Sequence, residues 1–239
     1  MQKWSRFLAG CGLILAGATT LAQPAQSPAV AEVRQTLDSA RKAIDTYKSG
    51  GGSPGAADHP AITWDRTLWA YRERYPDSDA AALATVEAVR LLVRAEVWDR
   101  VHARIASIGF DDRAWERLAT PIYDEGIARK DLQYTIDTLS RAVASTTKPA
   151  NKSAALLVIG RAERRRGNSA AAVAALEAAK TVSPGTLHAE EADGLLYEIK
   201  YLSAGLPAPA VSGTTRSGGA IDLAALRGKA VVLVFWGST

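Results

Sequence analysis

Apolar side chains recur every three or four residues through most of the chain, from residue 28 to about residue 204. This spacing is typical of the buried face of an amphipathic helix. Glycine-rich residues 49–55 and Pro76 interrupt it, and residues 77–79 supply an N-cap after the second break. The apolar stripes predict helices around 30–47, 64–75, 82–97, 101–108, 132–143 and 192–202. No stretch before residue 205 alternates as a half-buried strand does.

Large and small residues within 153–186 are spaced as in two helices that pack closely. Small side chains allow close approach, a glycine makes the turn, and a proline ends the second helix. The unit resembles a tetratricopeptide repeat, and the residues that carry the resemblance are Leu156, Gly160, Gly167, Ala172, Leu176, Ala179 and Pro184.

Gly126 and Gly194 lie one repeat length, 34 residues, before and after Gly160. This spacing predicts that the three glycines occupy equivalent packing positions in successive hairpins. We therefore expect residues 64–204 to form three or four tetratricopeptide-like helical hairpins. Residues 23–63 are expected to form a separate N-terminal helix and a glycine-rich linker. Such repeats imply a protein or peptide partner, bound through the helical region.

After residue 205 the pattern changes from helix to strand. Residues 206–209 form a proline-rich linker, and residues 211–221 predict a β-hairpin that turns at 217–219. Asp222 is placed to cap a one-turn helix that ends near Arg227. Residues 230–236 are a continuous apolar run, which predicts a strand buried on both faces.

The segments 205–209, 221–229 and 231–236 together resemble the entry into a TlpA-like domain of the thioredoxin superfamily. The resemblance implies a Cys-x-x-Cys pair at a helix N-terminus directly after the residues Phe235, Trp236, Gly237, Ser238 and Thr239. The predicted fold class is therefore mostly α, a tetratricopeptide-like helical-hairpin array followed by the first β-hairpin and strand of an incomplete thioredoxin-like α/β domain. We expect residues 205–239 to be the truncated N-terminal part of that domain, without catalytic residues of their own.

Three functions remain open at this point. The intact protein would be an exported thiol–disulfide oxidoreductase whose helical repeats bind a partner. A peroxiredoxin-type thiol peroxidase shares the same entry into the fold, although it usually has a proline soon after the strand, which residues 237–239 lack. A non-catalytic tetratricopeptide scaffold is the third possibility. None of the three requires a metal or another cofactor.

The N-terminus has the layout of a secretory signal peptide. Lys3 and Arg6 precede an apolar stretch over 7–22, and we expect cleavage after Ala22 and export to the periplasm or beyond. An uncleaved membrane anchor and lipidation at Cys11 are the alternatives. Cys11 is the only cysteine, so a disulfide framework is excluded.

Composition and the remaining polar residues bear on three further functions: nucleic acid binding, metal binding and catalysis. A net charge of +4 without a basic DNA-binding motif gives no indication of nucleic acid binding. His59, His102 and His188 have no metal-ligand spacing, so we expect structural or surface roles for them. The basic run Arg161, Arg164, Arg165 and Arg166 is expected to close a helix, with an acidic partner as the alternative. Tryptophans 64, 69, 98 and 115 predict interhelical packing, and no catalytic grouping or phosphate loop is present in the sequence.

Overall fold

A computed structural model describes residues 27–234, and most of these are helical. The predicted helical array followed by a small β part is confirmed. The helices are α1 (Pro28–Ser49), α2 (Ala61–Arg74), α3 (Asp79–Arg94), α4 (Trp98–Ala106), α5 (Trp115–Ala128), α6 (Leu132–Ser145), α7 (Pro149–Arg165), α8 (Ser169–Val182) and α9 (Leu187–Tyr201). Within residues 27–234, no helix has both the length and the hydropathy needed to cross a membrane.

Short polar side chains fix where several helices begin. Ser27 Oγ accepts a hydrogen bond from the Val30 amide, and Asp131 Oδ1 accepts one from the Tyr134 amide. The cap predicted within residues 77–79 is Ser78, whose Oγ accepts a hydrogen bond from the Ala81 amide at 3.1 Å. Each cap accepts a hydrogen bond from an amide that has no partner inside its helix, and so fixes where that helix begins.

The helices form a continuous stack of hairpins. The odd-numbered helices pack one against the next, from α1 through α3, α5 and α7 to α9. Of the even-numbered helices, α2, α6 and α8 each contact the odd-numbered helices on both sides, and α4 packs against α3. This is the nearest-neighbour packing of a helical repeat array, in which each unit buries its apolar face against adjacent units.

The core runs through the array as three adjoining clusters, and α1 belongs to the first of them. Val33 and Leu37 of α1 are buried in the same cluster as Leu68 of α2 and Leu91 of α3. The domain boundary expected at residue 64 therefore does not divide the core: the helix within 23–63 is the first helix of the array. The glycine-rich segment after it connects two helices that share this core.

The chain leaves α9 and forms the predicted β-hairpin. Strand β1 (Ser212–Thr214) pairs antiparallel with β2 (Ala220–Asp222), and Gly213 lies opposite Ile221. Asp222 Oδ1 accepts a hydrogen bond from the Ala224 amide at 2.9 Å and starts the 3₁₀ helix Leu223–Leu226. Both the hairpin and the capped one-turn helix are confirmed.

The strand predicted over 230–236 is wrong for the part that the structure describes. Residues 230–234 pair with no other strand, and Val232 and Val234 are 86% and 75% exposed. A strand that is apolar on both faces needs neighbouring strands and covering layers, and the two-stranded sheet supplies neither here. Phe235 and Trp236 lie outside the described residues.

Candidate functional site

The hairpin of α7 and α8 shows how the predicted repeat residues pack. A Cβ atom added at Gly160 would lie 2.6 Å from Leu176 Cγ, so only glycine allows this approach without rearrangement. Ser153 Oγ donates to the Ala179 carbonyl at 2.8 Å and fastens the other end of the hairpin. Gly167 makes the turn at a φ of +84°, a conformation that favours glycine. The remaining members are half-buried Leu156, buried Ala172, Leu176 and Ala179, and exposed Pro184, two residues after α8 ends.

The two glycines at equal steps from Gly160 have different surroundings. Gly126 on α5 faces α6, where an added Cβ would collide with Thr135 Oγ1. That hydroxyl donates to the Ile122 carbonyl at 3.1 Å, so it is fixed in place. Gly194 on α9 has open space where its Cβ would be. The structure therefore brings Gly126 and Gly160 into interhelical contacts, but not Gly194.

The basic run on α7 is directed largely at α9. Arg161 pairs with Glu191, and Arg164 Nη1 lies 2.6 Å from Glu198 Oε2. These pairs connect two odd-numbered helices of the stack. They favour the structural interpretation of the run over an acidic partner.

The sequence-predicted redox site falls outside the described residues. This applies to Phe235, Trp236, Gly237, Ser238 and Thr239, and at the other end to Cys11 and the signal segment 1–22. Within residues 27–234, no three His, Cys, Asp or Glu side chains come together as a metal site would require.

A buried polar cluster that the sequence analysis did not identify joins α4, α5 and α6. His102 Nε2 lies 2.6 Å from Glu125 Oε1, and Arg129 Nη1 donates to the same oxygen at 2.9 Å. Glu125 is fully buried, and its Oε2 has no hydrogen-bond partner among the described residues. Burial, together with the negative charge of Glu125, raises the pKa of Tyr134 to about 12. Tyr134 is therefore a neutral hydrogen-bonding group at physiological pH.

A cavity of about 560 Å³ opens beside this cluster, between α4 and α6. Trp115 is buried there, and its Nε1 donates to the Ile108 carbonyl. Polar and aromatic side chains of the lining include His102, Phe110, Trp115, Tyr134, Thr138 and Arg141. Such a surface suits an apolar group that carries a hydrogen-bonding or anionic end.

One sequence signal could have pointed to this cluster. Leu118, Ile122 and Glu125 fall on one helical face, so an acidic residue occupies a position of the buried stripe. A buried carboxylate requires a cationic or hydrogen-bonding partner. That the partner is His102 depends on the packing of α4 against α5, which no local pattern indicates.

Comparisons with family models, with curated proteins and with solved structures find no match to this chain.

Proposed function

We propose that this chain is the partner-binding region, together with the opening of the redox domain, of an exported TlpA-like thiol–disulfide oxidoreductase. In this proposal, the helical hairpins select a protein partner. The domain that begins near residue 205 exchanges electrons with the cysteines or disulfides of that partner.

The observation that carries the proposal is the order of elements directly after α9. Gly205 at a φ of +89° and the prolines at 207 and 209 end the helical array. The β1–β2 hairpin and the one-turn helix capped by Asp222 follow. These are the first elements that the TlpA-like resemblance implies, in the same order. The strand that it implies next, before its Cys-x-x-Cys motif, is not formed over residues 230–234.

The chemistry would depend on cysteines that the resemblance places after Thr239. A thiol at a helix N-terminus has a lowered pKa, so it is available as thiolate at neutral pH. The second cysteine then resolves the mixed disulfide. Residues 12–239 contain no cysteine, so this segment alone has no thiol to react.

The test is to read the open reading frame beyond codon 239 and to express the longer product. We expect a Cys-x-x-Cys beginning immediately, and insulin-disulfide reduction that both Cys→Ser variants abolish. The 239-residue chain serves as the inactive control. A stop codon at that point contradicts the oxidoreductase proposal and favours a scaffold, whereas a lone cysteine several codons later favours a thiol peroxidase.

A further inference from the structure

We propose that a second cavity, between α1 and α3, is a binding site for a small carboxylate that carries a short aliphatic chain. The cavity has a volume of about 240 Å³ and lies where the C-terminal parts of the two helices meet the loop before α2. The inference is independent of the redox proposal, since it involves neither the β-hairpin nor the residues after 234.

The first observation is a hydrogen-bond donor in the wall of this cavity. The His59 side chain is only 3% exposed, and its Nδ1 accepts a hydrogen bond from the Ala61 amide at 3.1 Å. An accepting Nδ1 requires that the neutral ring carries its proton on Nε2. Among residues 27–234 that Nε2–H has no acceptor, although the ring lines the cavity. A ligand oxygen would satisfy it.

The second observation is the charge of the lining. Arg41, Lys48 and Arg94 contribute three cations, and Asp45 is the one acid that lines the described cavity. Arg41 pairs with Asp38 at 3.2 Å, whereas within the described chain neither Lys48 nor Arg94 forms an ion pair with a carboxylate. Helix C-termini favour cations in general, so the positive charge alone would not define a site. Together with the His59 donor in the cavity wall, it favours an oxyanion.

The aliphatic residues of the lining indicate that the ligand carries a short apolar chain besides its carboxylate. Ile44 of α1 and Leu91 of α3 line the same cavity as the cations and His59. An inorganic oxyanion leaves such side chains without a partner, whereas a branched aliphatic carboxylate covers them. The volume accommodates a chain of a few carbon atoms rather than a folded peptide segment.

The experiment titrates the full chain with 3-methylbutanoate and follows the ¹⁵N resonance of His59 Nε2 by NMR. We expect a saturable shift of that resonance and no saturable shift with the neutral analogue 3-methylbutan-1-ol. Inorganic phosphate is the third probe, and we expect it to bind more weakly than the carboxylate. Phosphate that binds equally or more tightly would overturn the assignment to an aliphatic carboxylate.

Two exposed variants and a matched control complete the test. Arg94→Gln and Lys48→Gln should each weaken 3-methylbutanoate binding by about tenfold, because each removes a charge-assisted hydrogen bond. Lys42→Gln removes an exposed charge of α1 that does not line the cavity, and it should leave the affinity unchanged. Equal losses in all three variants would show a general charge effect and contradict the site, as would a His59 resonance that does not respond to the carboxylate.

Discussion

Gly160 and Gly194 occupy equivalent positions in successive odd-numbered helices, yet alanine should have opposite effects at the two sites. In Gly160→Ala the new methyl group must displace Leu176, since an added Cβ lies 2.6 Å from its Cγ. The overpacking costs roughly 1–3 kcal/mol. The gain in helix propensity offsets only about 1 kcal/mol of this. Chemical denaturation should therefore show a loss of unfolding free energy of up to about 2 kcal/mol, the difference between those two effects.

Gly194→Ala is the matched control for that substitution. Open space surrounds the position, so the methyl group meets no neighbour. The variant should be more stable than the original by about 0.5–1 kcal/mol, because alanine loses less backbone entropy than glycine on helix formation. Destabilisation of both variants to the same extent would contradict the packing described for α7 and α8.

His59 should make the unfolding free energy depend on pH in the mildly acidic range. Burial, and secondarily the positive charge of Lys48, lowers the pKa of His59 in the folded state, while Asp58 opposes the shift. The unfolded chain therefore takes up this proton at a higher pH than the folded chain does. The stabilisation is complete above the unfolded pKa of about 6.5 and is lost as pH falls toward the folded pKa.

The measurement compares urea unfolding of the original chain and His59→Gln between pH 7.5 and pH 5. The unfolding free energy of each protein is plotted against pH, and the difference between the two slopes gives the contribution of His59 apart from that of the carboxylates. The original chain should lose stability more steeply on acidification. Identical slopes would show that the folded protein does not disfavour the charged imidazole.

At the level of elements, one buried ion pair holds α2 against α4. Asp65 is fully buried, and its two oxygens accept hydrogen bonds from Arg104 Nε and Nη2 at 2.8 and 2.9 Å. The guanidinium also lies 4.0 Å from the ring centroid of Trp69. Arg104→Gln leaves a buried carboxylate without this bidentate partner, and the unfolding free energy should fall by about 3 kcal/mol.

Arg100→Gln is the control, because Arg100 approaches the same carboxylate only to 3.7 Å and is more exposed than Arg104. Its loss should stay below about 1 kcal/mol, as for other exposed pairs. Equal losses in the two variants would mean that the net charge around Asp65, rather than the bidentate contact to α4, stabilises this junction.

Local pattern determined some elements, and tertiary context determined others. The stripe of Val86, Val89 and Val93 predicts α3 because these apolar residues recur at helical spacing, although Thr85 and Glu87 of the same helix are also buried. No comparable stripe was recognised in α5, where Pro121 and Glu125 interrupt the apolar face. Residues 230–234 have a strong strand propensity, but a strand forms only where a neighbouring strand accepts its hydrogen bonds. That neighbour is not specified by the local sequence.

The same difference applies to the candidate sites. Gly160 was found from spacing, since close helix packing requires a small residue at a fixed step. The contact between His102 and Glu125 joins residues of different helices, and the His59 donor depends on how a loop covers two helix ends. Such sites arise from the stacking of whole hairpins, so a single-sequence pattern identifies their residues only after the stack is known.

For the molecule as a whole, the core predicts that the helical array folds without the segment after it. None of the three apolar clusters of the described chain includes a residue beyond Ile199. From residue 202 to residue 234 nearly every side chain is exposed, including Ile221 and Val232. A chain that ends at residue 204 should therefore unfold with the same midpoint in urea, and its free energy should change by less than about 0.5 kcal/mol, as for surface changes elsewhere.

Limited trypsin digestion tests the same independence without a truncation. Arg216, Arg227 and Lys229 lie in the exposed segment, where the small two-stranded sheet gives little protection from local opening. The basic residues of α7 are held in helix, and two of them pair with α9. Mass spectrometry should show early cleavage after Arg216, Arg227 and Lys229, while a fragment that contains α1 to α9 persists with undiminished helical circular dichroism. Early cleavage within α7 or α8 instead would contradict a stably packed array, since only loss of packing exposes those helices to the protease.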